Sequence, residues 1–272
     1  MSLDHGSMVS HLDKCRVRTS FGRAALAYDG FAMLQRRIGD ALFNSLEMQS
    51  LKVGPTLLDL GAGTGYCSRR LVGLSDSVIA LDIAPAMLIL SNGSSNLNIF
   101  HVCGDAELIP LADRCVDVVF SNLAIQWCMD LDQLFGEIFR VLSPGGILVF
   151  SSFGPDTLNE LKAAWTKVDN YSHVNNFYPP AAISRSMQRT GLTGSILEQE
   201  ALSISYDSVL HLMRELKAIG AHNVTHGRPR GLIGKQKIAR MIAGYEYLMP
   251  GEQIIATFDV LYGRARRPAM DC

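Results

Sequence analysis

The sequence predicts an α/β protein with a doubly wound, mostly parallel seven-stranded sheet and helical additions at the N-terminus and before the last strand. Two observations predict this fold class. Five short apolar runs alternate with helical stretches, and continuous apolar runs are typical of strands buried on both faces of a parallel sheet. A glycine-rich turn directly follows the first run, at the place where open α/β sheets bind their ligands.

The composition limits the class of protein. The chain has 272 residues, of which 48% are hydrophobic and 19% charged, and these ordinary values exclude collagen-like, coiled-coil and disordered classes. No apolar run approaches the roughly 20 residues that span a bilayer, and the first residues lack the apolar core of a secretory signal. The six cysteines form no CxxC pair and no zinc-like spacing. We therefore expect a cytoplasmic protein with reduced thiols, no structural metal and no membrane contact.

The first part of the chain is predicted to be a tail followed by two helices. Residues 1–18 are polar and aperiodic and are expected to be mobile, whereas residues 19–272 are expected to form one domain. The N-terminal helices would occupy residues 19–50, and the first would begin at Thr19 or Ser20, either of which can serve as N-cap. The second carries an apolar stripe at helical spacing, formed by Leu34, Ile38, Leu42 and Leu46.

From residue 56 onward, strands and helices alternate. The predicted strands are 56–60, 78–82, 98–102, 116–121, 146–152, 200–206 and 254–263. Helices are predicted at 131–142, where turn residues at 143–146 end the helix, and at 155–168 and 181–190. A helical insertion, residues 207–250, precedes the last strand and is expected to cap the substrate.

The turn after the first strand carries three glycines shortly after Asp59. Glycine lets the backbone turn sharply and approach a ligand closely. A dinucleotide fingerprint has the spacing G-x-G-x-x-G and would need a glycine where this chain has Tyr66, which makes a dehydrogenase the least favoured enzyme. The spacing present, Gly61-x-Gly63-x-Gly65, resembles instead the S-adenosylmethionine (SAM) loop of class I methyltransferases, which have a Rossmann-like fold.

Two acidic residues follow the next two strands. Asp82 closes the second strand, where a carboxylate can accept hydrogen bonds from both ribose hydroxyls; the alternative is a helix cap before Pro85. Asp105 follows the third strand, where class I methyltransferases present an acid to adenine; the alternative is a turn aspartate. The resemblance also implies cofactor contacts by Asp59 near the ammonium end, by Met87 (or burial in the core), by Ala106 and by Asn122 (or helix capping).

The stretch after the fourth strand, SNLAIQWC at 121–128, resembles a more specific family, the malonyl-acyl-carrier protein O-methyltransferases of biotin synthesis, known as BioC. The likeness extends over nearly the whole chain after residue 19. Its further markers are FGRAA at 21–25 with Tyr28, LQR at 34–36, NF at 176–177 with PP at 179–180, and LKAIGA at 216–221 with GR at 227–228. The resemblance implies methylation of the free carboxylate of malonyl carrier protein with SAM as cofactor and S-adenosylhomocysteine as product. The ester would mask the charge, so that fatty-acid synthesis enzymes elongate the group toward pimeloyl.

Methylation of a carboxylate needs alignment rather than a general base, because the carboxylate is already ionised at neutral pH. We therefore expect catalytic residues that position the substrate: Tyr28, Gln126 and Trp127, with core burial as the alternative for Trp127. Arg23 could pair with the cofactor's carboxylate, and Arg36 could meet the substrate's carboxylate or thioester; a solvated helix charge is the alternative for each.

Residues 211–240 hold seven Lys or Arg residues and one acid, a local charge of +6, against a net charge of −1 for the chain. Carrier proteins are acidic, so this segment is expected to bind malonyl carrier protein through Arg214, Lys217 and Arg228. The alternatives are a solvated face and nucleic-acid binding, and the absence of interleaved aromatic residues argues against single-stranded nucleic acid.

Two other functions remain open from the sequence. One is methylation of another small acid or a quinone precursor at the same cofactor site. The other is a methyltransferase-like binding module without turnover, against which the complete set of glycines and acids argues.

Overall fold

The computed structural model describes residues 13–47, 54–75, 77–93, 98–221, 234–249 and 253–269. Its strands within these ranges are β1 Thr56–Leu60, β2 Ser77–Asp82, β3 Ile99–Cys103, β4 Val116–Asn122, β5 Leu142–Phe153, β6 Thr193–Tyr206 and β7 Ile254–Arg266. They form one seven-stranded sheet in the order β3-β2-β1-β4-β5-β7-β6.

The sheet is mostly parallel. Strands β1 to β5 pair in parallel, and β7 lies antiparallel between β5 and β6. The predicted fold class is therefore confirmed. Because β1 has β2 on one side and β4 on the other, the strand order reverses at β1, and ligands of open α/β sheets bind in the crevice at the carboxyl ends of such strands.

Helices cover both faces of the sheet. They are α1 Lys14–Phe31, α2 Met33–Glu47, α3 Tyr66–Leu71, α4 Pro85–Asn92, α5 Leu131–Val141, α6 Asn159–Thr166, α7 Pro180–Arg189, α8 Val209–Ala218 and α9 Lys235–Leu248. Successive β1 residues serve opposite cores: Leu57 packs in one cluster with Leu42 of α2, and Leu58 packs in another with Ile138 of α5. In the described part of the chain, no helix is both long and apolar enough to cross a membrane.

Helix α1 begins earlier than the predicted N-caps. It begins at Lys14, and the Asp13 side chain caps it by accepting a hydrogen bond from the backbone N–H of Cys15 at 3.0 Å. Thr19 is a residue of the helix interior, where its hydroxyl donates to the carbonyl of Cys15 at 2.7 Å, four residues earlier. The start at Thr19 or Ser20 was therefore wrong, because aspartate caps a helix as well as serine does. The end of the predicted tail is helical, and the rest of it lies outside the described residues.

Two later boundaries also differ from the sequence prediction. Strand β5 begins at Leu142, so the predicted turn at 143–146 lies within the strand, where the pairing with β4 is irregular. Helix α6 begins only at Asn159, because Leu158 adopts a left-handed conformation (φ 58°) that interrupts the predicted helix at 155–168. Strand β6 begins at Thr193, before the predicted strand at 200–206.

Candidate active site

The glycine loop turns tightly between β1 and α3. The backbone N–H groups of Gly61 and Ala62 both donate to the carbonyl of Leu81, at 2.8 and 2.9 Å, which ties the loop to the end of β2. Gly61 has φ +80°, and a Cβ there would lie 2.2 Å from the Cβ of Ala124. No other residue type fits this position without a shift of the backbone after β4.

Asp82 joins the glycine loop to the following turn. Its Oδ2 accepts a hydrogen bond from the backbone N–H of Gly63 at 2.9 Å, and its Oδ1 accepts one from the N–H of Ala84 at 2.8 Å. Helix α4 begins at Pro85 with Ala84 as N-cap residue, so Asp82 is not the helix cap that was the alternative. Each carboxylate oxygen keeps a lone pair for a further donor. Burial raises the pKa of Asp82, and the two backbone hydrogen bonds oppose that rise.

Asp59 is a buried acid beside the loop. It is 1% exposed, and its Oδ2 accepts a hydrogen bond from the Ser68 hydroxyl at 2.5 Å. Burial raises the pKa of Asp59 to about 7, an effect that the Ser68 hydrogen bond opposes and the charge of Asp82 assists. A cation beside Asp59 would therefore favour its ionised form.

Two cavities meet at the glycine loop. The first, which we call the adenosine cavity, has a volume of about 730 Å³ and lies between α1 and the carboxyl ends of the strands. It is lined by Lys14, Phe21, Tyr28, Gly61, Gly63, Asp82, Met87, Asp105, Ala106, Asn122 and Trp127, among others. The second, the amino-acid cavity, has a volume of about 410 Å³ and is lined by Tyr28, Gln35, Arg36, Asp59, Gly61, Gly63 and Asn122, among others. Of the predicted loop glycines, Gly65 lines neither and serves as the N-cap residue of α3.

The amino-acid cavity contains unsatisfied polar atoms. Gln35 Oε1 and Arg36 Nε are buried without a hydrogen-bond partner. Buried polar atoms normally have partners, so such atoms point to a missing ligand. An acceptor, a donor and the acid Asp59 around one cavity fit the ammonium and carboxylate groups of an α-amino acid, which is the chemistry of one end of SAM.

Lys14 of α1 forms ion pairs that hold this helix over the adenosine cavity, and it was not among the predicted site residues. Lys14 Nζ lies 2.6 Å from Asp105 Oδ2 and also forms an ion pair with buried Glu107. Asp105 Oδ1 accepts a hydrogen bond from the Glu107 backbone N–H at 2.9 Å, as a turn aspartate does. Asp105 is therefore a turn aspartate that also lines the cavity, and its contact with adenine stays a prediction.

Three predicted residues after β4 have different surroundings. Trp127 lines the adenosine cavity and packs edge-to-face on Phe21 at 5.2 Å between ring centroids. Gln126 is buried (4% exposed) and is not among the residues that line that cavity, and its Oε1 accepts from the backbone N–H of Phe153, so the structure gives no support to the expected substrate contact. Asn122 does line both cavities, but its side chain is engaged by the carbonyl of Gln35 at 2.9 Å and by the Ser151 hydroxyl at 2.8 Å.

Other predicted residues divide into those at the cavities and those outside. Met87 is 1% exposed, packs with neighbouring apolar residues and also lines the adenosine cavity, so it belongs to the core while its contact with the cofactor stays a prediction. Tyr28 lines both cavities, and its hydroxyl has no hydrogen-bond partner within the described residues. Arg23 is exposed on α1 and lines neither cavity, so nothing in the structure supports the predicted contact with the cofactor. Arg36 lies instead at the amino-acid cavity, held by Asp29 at 3.2 Å.

Two of the three predicted carrier-protein residues, Arg214 and Lys217, lie on α8. Arg214 and Lys217 are exposed, and neither has a salt-bridge partner in the described ranges. Arg228 lies outside the described residues. Of the remaining basic residues in the segment, Lys237 is engaged by Asp169 at 2.9 Å.

Gln35 is a site residue that the sequence does not reveal. It stands within one of the family markers and next to the apolar stripe of α2, and neither feature distinguishes it from its neighbours. Lys14 was missed for a different reason, since it fell in the predicted tail.

Comparisons with known proteins identify the family. A family model described as "Methyltransferase domain" matches residues 58–150. The malonyl-acyl-carrier protein O-methyltransferase of Nitrosospira multiformis is 40% identical over 279 residues, covering 95% of this chain and 90% of that protein. The biotin biosynthesis bifunctional protein BioHC of Cellvibrio japonicus is 40% identical over 256 residues, covering 94% of this chain and 51% of that protein.

Solved structures share the fold. The YcgJ protein of Bacillus subtilis has a TM-score of 0.63 at 15% identity, covering 85% of this chain and 99% of that chain. Phosphoethanolamine N-methyltransferase 2 of Haemonchus contortus, in complex with S-adenosyl-L-methionine, has a TM-score of 0.56 at 17% identity, covering 91% of this chain and 57% of that chain. The glycine loop, the acids at successive strand ends and the similarity over nearly the whole chain lead to one conclusion: this chain belongs to the malonyl-acyl-carrier protein O-methyltransferase family.

Proposed function

We propose that this chain transfers a methyl group from SAM to the free carboxylate of a malonyl group on an acyl carrier protein, giving a methyl ester and S-adenosylhomocysteine. The ester would then serve pimeloyl synthesis for biotin. The observation that carries this proposal is similarity over about 95% of the chain to proteins of that name, well beyond the methyltransferase domain at 58–150. The similarity therefore includes α1, α2 and α8, which surround the site but lie outside that domain.

The two cavities offer the groups that SAM requires. In the adenosine cavity, Asp82 would accept hydrogen bonds from the ribose, while Asp105, Ala106 and Met87 would surround the base. In the amino-acid cavity, Asp59 would pair with the ammonium group and Arg36 with the carboxylate. Arg36 thereby takes the role first expected of Arg23. When bound, SAM supplies a methyl group on a positively charged sulfur.

The residues of the chain orient the acceptor and exclude water. Tyr28 and Gln35 line the amino-acid cavity, and each can donate a hydrogen bond to a carboxylate oxygen without neutralising its charge. Burial raises the pKa of Tyr28, and the negative charge of Asp82 raises it further by a smaller amount. The Tyr28 hydroxyl therefore stays protonated and remains a hydrogen-bond donor. Phe21 and Trp127 form an apolar wall that removes water from the carboxylate and makes it a better nucleophile.

Replacing Tyr28 by phenylalanine tests the positioning role. We expect Tyr28→Phe to lower kcat about tenfold because one hydrogen bond of about 1 kcal/mol or more is lost where the acceptor must be aligned. The affinity for S-adenosylhomocysteine, measured by calorimetry, should stay within about twofold of wild type, because the lost hydrogen bond is to the acceptor and not to the cofactor. Wild-type kinetics in this variant would remove Tyr28 from the site.

The raised pKa of Asp59 predicts that cofactor binding depends on pH. Below about pH 7 the carboxyl group is mostly protonated, and pairing with an ammonium group requires that the proton leave. We therefore expect the affinity for S-adenosylhomocysteine to rise up to about tenfold per pH unit as the pH approaches 7, and to level off above it. Asp59→Asn should abolish this dependence. As a control, 5′-methylthioadenosine lacks the ammonium group and should bind with little pH dependence; equal slopes for the two ligands would contradict the pairing.

The acceptor is tested by supplying purified protein with SAM and one of three acceptors. These are malonyl carrier protein, malonyl-coenzyme A and unacylated carrier protein. We expect one added methyl group on malonyl carrier protein and none on the unacylated protein. If no acceptor is methylated although the cofactor binds, the proposed function is wrong.

A further inference from the structure

We propose that a third cavity, separated from the adenosine cavity by Trp127, receives the malonyl group of the acceptor. This acceptor cavity has a volume of about 450 Å³ and is lined on its apolar side by Leu34, Phe153, Leu158, Val174, Phe177 and Phe258. The inference rests on the proposed function and adds where the substrate binds and which charge it carries.

The position of the acceptor cavity carries the inference. Trp127 lines both the acceptor cavity and the adenosine cavity, while Gln35 lines both the acceptor cavity and the amino-acid cavity. The acceptor cavity therefore adjoins both halves of the cofactor site. A methyl group passes only between atoms held in contact and in line. An acceptor bound here lies directly beside the cofactor site, at the boundary that Trp127 and Gln35 form.

The polar atoms in the wall suit one carboxylate group. Asn175 is 4% exposed and lines the acceptor cavity. The hydroxyl of Thr157 donates to the Asp259 carbonyl and accepts from the Asp259 N–H, each at 3.1 Å. Gln35 lines the same wall, and the N–H groups of its side-chain amide are neutral donors that can orient a carboxylate.

The acid in the wall favours the acceptor with the smaller negative charge. Among the described residues that line the acceptor cavity, Glu215 is the only charged one, and it accepts a hydrogen bond at 2.9 Å from Tyr206, which is not part of the wall. An ionised Glu215 repels a carboxylate in the cavity, and it repels two negative charges more strongly than one. A malonyl thioester carries one carboxylate and suits the cavity, whereas free malonate carries two.

The chain holds the wall in a strained conformation. Leu158 has φ 58°, and its N–H donates to the carbonyl of Thr257 in β7 at 2.7 Å. The N–H of Gly154 at the start of the same loop donates to the carbonyl of Asp259 at 2.8 Å. A left-handed leucine persists only where the surroundings enforce it, and such residues concentrate at functional sites.

Helix α8 connects the acceptor cavity to the basic surface. Leu216 of α8 and Ile219, directly after the helix, line the cavity, while Arg214 and Lys217 of the same helix are exposed. A carrier protein bound to the outer face of α8 would have its acylated arm close to the cavity. Ala221, just after the helix, also lines the cavity and is only half-buried.

Two variants and a neighbouring control test the inference. Asn175→Asp places a negative charge in the wall, and we expect it to raise KM for malonyl carrier protein about 50-fold by repelling the carboxylate. Ala221→Phe fills the cavity from its rim and should lower kcat/KM to a similar extent. Asn176→Asp makes the same change at the adjacent exposed residue and should leave KM unchanged. Free malonate should not be methylated by the wild-type protein.

The affinity for S-adenosylhomocysteine and the melting temperature are measured for every variant. A folded variant with wild-type cofactor affinity but impaired use of malonyl carrier protein supports the acceptor cavity. If Asn175→Asp does not fold, Ala221→Phe decides. Wild-type KM and kcat in the folded variants, with wild-type protein active, would overturn the inference and leave the proposed function intact. Absence of ester from wild-type protein would overturn both.

Discussion

Reversing the charge of Arg214 and Lys217 together is expected to lower kcat/KM for malonyl carrier protein about 100-fold, because charged rims steer a charged partner and fix its orientation. Both side chains are exposed on α8, so the double variant Arg214→Glu/Lys217→Glu should fold normally. The loss should appear mainly in KM and should shrink at high ionic strength, where salt screens exposed charges. Steady-state kinetics at two salt concentrations would measure both effects.

A matched control uses two arginines away from the carboxyl ends of the parallel strands. Arg114 is an exposed residue shortly before β4, and Arg264 is exposed on β7 opposite Val149 of β5. The variant Arg114→Glu/Arg264→Glu changes the net charge equally and should retain activity within about twofold, as most surface substitutions do. If the α8 variant and this control lose activity equally, net charge rather than docking on α8 explains the loss. If neither loses activity, the carrier protein binds elsewhere.

Replacing Asp82 by alanine is expected to weaken binding of S-adenosylhomocysteine by about 1–3 kcal/mol, or roughly 5- to 150-fold. The structure adds a reason that the sequence did not contain. The Asp82 carboxylate holds the N–H groups of Gly63 and Ala84, so the variant loses the proposed ribose contacts and also releases the glycine loop. Calorimetric titration gives the affinity directly.

Asp207→Ala provides the comparison, because the Asp207 side chain is 94% exposed and lies outside the three cavities. Its cofactor affinity should match wild type. Asp82→Asn separates the two effects of Asp82, since asparagine keeps one acceptor oxygen but adds a donor. We expect its affinity to lie between those of wild type and Asp82→Ala. Unchanged affinity in Asp82→Ala would exclude Asp82 from the cofactor site.

The part of the site formed at strand ends follows from sequence alone. Glycines after β1 and acids after β2 and β3 come together because the carboxyl ends of parallel strands meet at one edge of the sheet. The apolar runs define the strands, and their order along the chain places Gly61, Asp82 and Asp105 around one cavity. No side-chain detail is needed for that inference.

Side-chain direction after β4 does not follow from sequence. Leu123 has φ 52°, and residues Ile125–Trp127 form a 3-10 turn. In such a turn, neighbouring side chains point in widely different directions. Trp127 therefore reaches the cavity while Gln126 turns to the backbone of β5, and nothing in the composition of the segment distinguishes the two.

The positions of Arg23 and Arg36 on their helices are only partly predictable from the apolar pattern of the sequence. The buried residues of α1 are Val17, Ser20, Ala24 and Ala25, and Arg23 falls on the opposite, exposed face. The apolar phase of α1 predicts that exposure. The apolar pattern of α2 does not predict the half-buried position of Arg36, because that position depends on how α2 meets the glycine loop.

The most direct test of the central claim is the position of the transferred methyl group. Malonyl carrier protein would be incubated with wild-type protein and SAM that carries a deuterated methyl group, and the phosphopantetheine arm would be released in the mass spectrometer. We predict that the released arm carries the deuterated methyl group on its malonyl unit and that mild base removes it, as expected of an ester. A methyl group retained on the protein after the arm is released, or one stable to base, would contradict carboxylate methylation at this site.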